Sequence, residues 1–109
     1  MSDPVLKQQV QMLVRDHHVM LLMKGTPDAP GCGFSARVVA VLESLGAEYH
    51  AIDVLPVLDP IREVTGEIAD WRTFPQLYVD GNLVGGCDIV EEMHESGELT
   101  ELVGTPVTQ

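Results

Sequence analysis

The sequence is poor in cations. Of 109 residues only six are Lys or Arg against seventeen Asp or Glu, a formal charge of −11 with a pI near 4.4. Proteins that grip the nucleic-acid backbone need the opposite balance, so nucleic acid is not an expected partner. Cysteine occurs only twice, at Cys32 and Cys87, too few for a disulfide framework or an all-cysteine zinc site. Long apolar runs are missing too: nothing reaches the length of a membrane span, and Met1–Arg15 is too polar for a secretory leader. Without a presequence, the bacterial cytoplasm is expected rather than a processed organellar protein. Repeats, low-complexity tracts and linkers are also lacking. What remains is 45% apolar residues in a chain long enough to bury about two-thirds of its unfolded surface. One soluble, cytoplasmic domain over residues 1–109 is the expectation.

Helix and strand patterns alternate. Leu6, Val10, Leu13 and Val14 recur on one helical face and predict a helix over Pro4–Asp16. Val19–Lys24 reads as a strand covered on both faces. The Pro/Gly-rich stretch Gly25–Gly31 reads as a loop. Phe34, Val38, Val41, Leu42 and Leu45 then share a helical face that stops near Gly46, and Tyr49–Val54 reads as a second strand. Asp59-Pro60 predicts an N-cap followed by proline at the first helical position, for a helix to about Ala69. Gln76–Val79 and Leu83–Gly85 flank Asp80-Gly81, a hairpin signal, with a longer Asp80–Asn82 loop left open. Asp88 with Glu91 three residues on predicts a capping box at the last helix. The simplest packing is one mixed four-stranded sheet with helices on both faces, an α/β thioredoxin fold.

Cys32 falls between a punctuated loop and a helix start, where free peptide N–H groups and the helix dipole lower a thiol pKa. Lys24 would add a nearby positive charge. The alternative is an inert, buried cysteine. Redox sites of this architecture often carry a second cysteine three residues on, but here Ser35 stands there and cannot resolve a mixed disulfide. Disulfide chemistry would need a thiol from glutathione, another chain or Cys87.

Lys24-Gly25-Thr26-Pro27, Cys32-Gly33-Phe34-Ser35, Trp71-Arg72-Thr73-Phe74-Pro75-Gln76-Leu77-Tyr78 and Gly85-Gly86-Cys87-Asp88 occur in order at matching spacing. Together they resemble the monothiol glutaredoxins of the CGFS type, over about Val19 to Leu102. The resemblance implies that Cys32 is the nucleophilic or cluster-ligating thiol and that Lys24 and Arg62 hold the glycine carboxylate of glutathione. It further implies that Phe74 offers its backbone ahead of a cis Pro75, and that Gly86, the Cys87 backbone and Asp88 take the γ-glutamyl end. Plainer roles stand beside these: Asp88 as an N-cap, Arg62 paired within its helix, Gly85-Gly86 as a strand-end turn. One departure is visible. The family usually has Trp-Pro-Thr, and Arg72 replaces the proline, either to assist a ligand or to face solvent.

A [2Fe–2S] cluster takes four thiolate-type ligands. The resemblance implies that Cys32 and a bound glutathione supply two, and that a homodimer completes four around a labile cluster delivered to iron–sulfur acceptor proteins. This carrier reading is preferred to the alternative, a glutathione-dependent oxidoreductase working by a monothiol deglutathionylation mechanism. Cys87 is either structural or a disulfide partner for Cys32. From Thr73 onward there is no Lys or Arg but there are seven acids, either a solvated face or a guide for a basic partner. The resemblance implies a BolA-like protein as that partner. The four histidines show no metal-ligand spacing and read as structural.

Overall fold

The structure, a computed structural model, describes residues 2–104. Helix α1 (Pro4–Asp16) leads into strand β1 (Val19–Met23), a tight pair β2 (Gly25–Thr26) and β3 (Ala29–Pro30), and helix α2 (Gly33–Ser44). Strand β4 (His50–Asp53) follows. A 3-10 turn at Leu55–Val57 then runs straight into α3 (Leu58–Ala69). The hairpin β5 (Gln76–Val79) and β6 (Asn82–Gly85) precedes α4 (Cys87–Ser96) and α5 (Glu98–Val103).

The main sheet has the order β4-β1-β5-β6, with β1 parallel to β4 and the other pairs antiparallel. Side chains of β1 alternate between two apolar layers, which is why the strand is apolar throughout. Val19, Leu21 and Met23 pack with Val38, Leu42, Val90 and Leu99 of α2, α4 and α5. Met20 and Leu22 pack with Val10, Val14, Ile61 and Val64 of α1 and α3. The expected mixed four-stranded sheet with helices on both faces is therefore present.

Several boundaries differ from the sequence reading, each for a local reason. The Gly25–Gly31 segment is not a plain loop, because β2 and β3 pair within it. Gly25 has φ +83, and a Cβ there would come within 2.5 Å of the Ala29 carbonyl oxygen, so only glycine admits this close return. Asp59 does not cap α3. The 3-10 turn enters the helix at Leu58 with Val57 as N-cap, and the Asp59 carboxylate accepts from Arg62 instead. Asp88 does not cap α4 either: Gly86 holds that position with no side-chain bond, and Glu91 is taken by Arg37. The last helical stretch is divided at Gly97. The hairpin adopts the shorter loop, with Val79 opposite Asn82 and positive φ at both Asp80 and Gly81. His17 and His50, distant in sequence, stack at 4.1 Å with their rings 2° from parallel, joining the end of α1 to β4.

Candidate functional site

Cys32 is the N-cap of α2. Its Sγ accepts the Ser35 N–H at 3.4 Å and lies 3.5 Å from the Ser35 hydroxyl. Ser35 is fully buried, and its oxygen accepts the Lys24 backbone N–H at 3.1 Å. With its lone pair thus engaged, the hydroxyl is free to turn its proton to the sulfur. Burial pushes the half-exposed Cys32 thiol up. Hydrogen bonds from the Ser35 hydroxyl, the Ser35 amide and the Phe34 amide, with the Lys24 charge, outweigh that effect and hold it below the ordinary thiol value. Phe34, 56% exposed, stands beside it.

The loop that presents Cys32 is tied from two sides. The Asp53 carboxylate accepts the N–H groups of Gly25 at 2.8 Å and Leu55 at 2.9 Å. Gly31 donates its N–H to the Lys24 carbonyl at 2.8 Å. Nothing in the residue types marked Asp53 for this task; its place at the end of β4 beside the loop was the only signal.

An open cleft of about 570 Å³ opens next to this helix start, a volume suited to a small-molecule ligand. Lys24, Arg62, Phe74, Pro75, Gly86, Cys87 and Asp88, all singled out from sequence, line it. Trp71 and Thr73 line it as well, while Cys32 is not among the lining residues although its neighbour Phe34 is. The cations come from β1's end and from α3, the anion from α4 on the opposite layer, and Phe74–Pro75, joined by a cis peptide bond, from the segment before β5. Arg62 also keeps its plainer role, a 3.3 Å pair with Asp59.

The segment before Pro75 is held by a buried residue that sequence reasoning left without a role. Gln76 is fully buried, and its amide donates to the carbonyls of Trp71 and Thr73 at 3.0 Å each. The Tyr78 hydroxyl donates in turn to Gln76 Oε1 at 2.7 Å, and burial pushes that phenol up to about 12. A glutamine inside an otherwise apolar strand was the available signal. The Trp71 indole N–H is buried against the cleft wall with no partner among the described residues.

Cys87 also stands at a helix start, but it differs from Cys32 in burial and in the direction in which its thiol is shifted. It is 7% exposed and packs in the α2/α4 core layer. Burial, then the Glu91 carboxylate, push its thiol up against an opposing pull from Arg37. Its Sγ lies within 4.8 Å of carboxylate oxygens of Asp88 and Glu91, but the Arg37 guanidinium already forks onto Glu91 at 2.7 and 3.0 Å. Arg72 is exposed and does not line the cleft.

Comparison with known proteins agrees with this geometry. Residues 19–84 match the family described as Glutaredoxin. The chain is 48% identical over 94 residues to Probable monothiol glutaredoxin 2 of Rickettsia typhi, covering 86% of this chain and 84% of that one. It is also 48% identical over 101 residues to Monothiol glutaredoxin-S11 of rice, covering 93% of this chain but only 20% of that longer protein. The structure of a buckwheat glutaredoxin–glutathione complex superposes with a TM-score of 0.81 at 29% identity, over 91% of this chain and 87% of that one. A lone activated thiol, a serine where a resolving cysteine would stand and these likenesses agree: the chain belongs to the glutaredoxin family, in its monothiol branch.

Proposed function

We propose that this chain binds glutathione in the cleft and, through Cys32, carries a labile [2Fe–2S] cluster as cargo for delivery to acceptor proteins. The observation that carries the reading is the contrast between its two cysteines. Cys32 is accessible with a thiol held below its ordinary value, Cys87 is buried with its thiol raised, and Ser35 occupies the resolving position. One chain thus offers one thiolate. Four ligands of that type then call for two chains and two bound glutathione thiols. Glutathione, with two carboxylates and one ammonium, suits a cleft that combines Lys24 and Arg62 with Asp88, and the buckwheat relative is a glutathione complex. Half of the ligand set being non-covalent, the cargo would leave readily. The cytoplasm is the proposed compartment; among the described residues no helix is long and apolar enough to cross a membrane.

The accessible thiolate also favours a second reading, removal of glutathione from mixed disulfides. Cys32 would attack the glutathione sulfur and expel the substrate thiolate. A second glutathione thiolate would then attack the Cys32–glutathione disulfide, releasing oxidised glutathione and regenerating Cys32.

Anaerobic reconstitution with iron, sulfide and a cysteine desulfurase, with and without glutathione, separates the two. A coloured dimer with two irons and two sulfides that needs glutathione and is lost in Cys32→Ser is the expected result. A colourless monomer that turns over a glutathionylated peptide would replace the carrier with the oxidoreductase.

A further inference from the structure

At the end of the sheet away from Cys32, three histidines meet around a second hollow of about 270 Å³, which Glu48 and Tyr49 also line. His17 and His18 join α1 to β1, and His50 opens β4. No ligand spacing shows in the sequence because the parallel pairing of β1 with β4, Met20 opposite His50, is what brings them together. Side chains alternate along a strand, and Ile52 packs in the α1/α3 layer, so His50 falls on the side where α1 ends and stacks on His17. His18 is held from behind. Its Nδ1 lies 2.6 Å from an Asp80 carboxylate oxygen. A carboxylate only accepts, so Nδ1 carries the proton and the neutral ring keeps its Nε2 lone pair. Metal-ligating histidines are commonly supported by a carboxylate in this way. Glu48 is exposed and has no ion pair among the described residues, and the Tyr49 hydroxyl is taken by Glu43. Neither Lys nor Arg lines the hollow.

We propose that this hollow is a metal-binding site, in which His17, His18 and His50, with Glu48 beside them, take one divalent ion of the zinc class. Imidazole nitrogens with one carboxylate are the donors such ions favour, whereas calcium and magnesium call for a shell of oxygens. The His17 and His50 rings lie face to face, 2° from parallel, so their lone pairs do not meet at one point as they stand. His50 is exposed, and a turn about its Cβ–Cγ bond brings a ring nitrogen towards the ion. The site is therefore open, water completes the coordination, and the affinity is modest. A bound ion would tie the end of α1 to β4 more firmly than the stack does. The five residues of β1 separate the hollow from the cleft by roughly 17 Å, at about 3.3 Å per residue. The inference accordingly stands apart from the glutathione reading.

The test is Zn²⁺ titration by calorimetry of the full chain carrying Cys32→Ser, so that the reactive thiol takes no metal, with nitrogen–proton spectra of the imidazole rings recorded alongside. Two further variants remove one ligand each while keeping the local packing. His50→Phe preserves a ring to stack on His17, and His18→Asn preserves a donor towards Asp80; both are checked for native circular dichroism and unchanged metal-free melting. One Zn²⁺ per chain is expected, with a micromolar Kd. Each variant should weaken it about tenfold to a hundredfold. The ring signals of His17, His18 and His50 should move on titration while that of His94 stays. A third variant, Cys87→Ala, probes the rival donors Cys87, Asp88 and Glu91 and should bind as before. Absence of saturable binding would overturn the proposal, as would full affinity in both His50→Phe and His18→Asn. Loss of binding in Cys87→Ala with the histidine variants unaffected would place the ion at the start of α4 and overturn it equally.

Discussion

At the scale of single residues, reactivity at Cys32 depends on Ser35 more than on any formal charge. The hydroxyl accepts the Lys24 N–H and faces the sulfur, so it stabilises the thiolate while holding the loop to the helix start. Replacing it by alanine leaves the Lys24 amide without that partner, at about 1 kcal/mol of stability, and removes the leading hydrogen bond to the thiolate. The Cys32 pKa then rises towards its ordinary value, and less thiolate is present at neutral pH. Ser35→Ala should therefore alkylate with iodoacetamide several-fold (~2 to 10) more slowly at pH 7. Above both thiol titrations that deficit should vanish, the variant's more basic thiolate reacting at least as fast as the wild type's. Identical pH–rate profiles would show that the hydroxyl does not tune the thiol. The sequence disclosed that serine stood where a resolving cysteine would; it could not disclose that its oxygen is turned to Cys32, because that follows from α2 starting at Gly33. Gln76 was hidden for a similar reason. A polar residue in a strand acquires a role only once the carbonyls of Trp71 and Thr73 are brought to it.

Elements were legible where apolar spacing reports burial, and misread where two side chains compete for one polar group. The helix at Pro4–Asp16 and the doubly buried β1 follow from periodicity alone. The starts of α3 and α4 do not. Asp59 and Glu91 are typical capping residues, yet each is taken by an arginine, one on its own helix and one on α2, and neither choice is written in local sequence. Pairings between elements are just as hidden, and one of them is titratable. Glu67 of α3 accepts from the Ser2 hydroxyl at 2.7 Å and amide at 3.1 Å and from Lys7 Nζ at 3.0 Å, tying the start of α1 to α3. The Ser2 hydroxyl foremost, and then Lys7, pull this carboxylate down to about 2 from its ordinary 4.5. A group depressed on folding gives stability that is present above the unfolded value and lost as pH falls through the folded one. The melting-temperature gap between wild type and Glu67→Gln should accordingly be full at pH 7, begin to close below about 4.5, and be smallest near 2. A gap that stays constant across that range would mean the contact does not hold in solution.

For the whole molecule, the scarcity of cations becomes a matter of placement. Lys24 and Arg62 stand in the cleft, while Arg37 spans α2 and α4 to Glu91. From Thr73 onward there is no Lys or Arg, and the acids of that stretch are not equivalent. Asp80 lies 2.6 Å from His18, and Glu91 is engaged by Arg37. Glu92 and Glu95 remain exposed on α4 without a partner in any ion pair among the described residues. If a basic, BolA-like protein is steered to this end, these two are the residues to reverse. Reversing Glu91 would break the bridge between α2 and α4 and set two cations together, so a slower association could not be assigned to steering. Long-range attraction raises encounter rates without many contacts and is screened by salt. Glu92→Lys with Glu95→Lys should thus lower the association rate constant for such a partner several-fold (~3 to 10) at low ionic strength. The dissociation rate should change little, and the difference should shrink at 0.5 M salt, where the screening length falls to about 4 Å. An unchanged association rate at low salt would mean that the charge of this half serves solubility alone, with partner choice resting on the cleft and on Cys32.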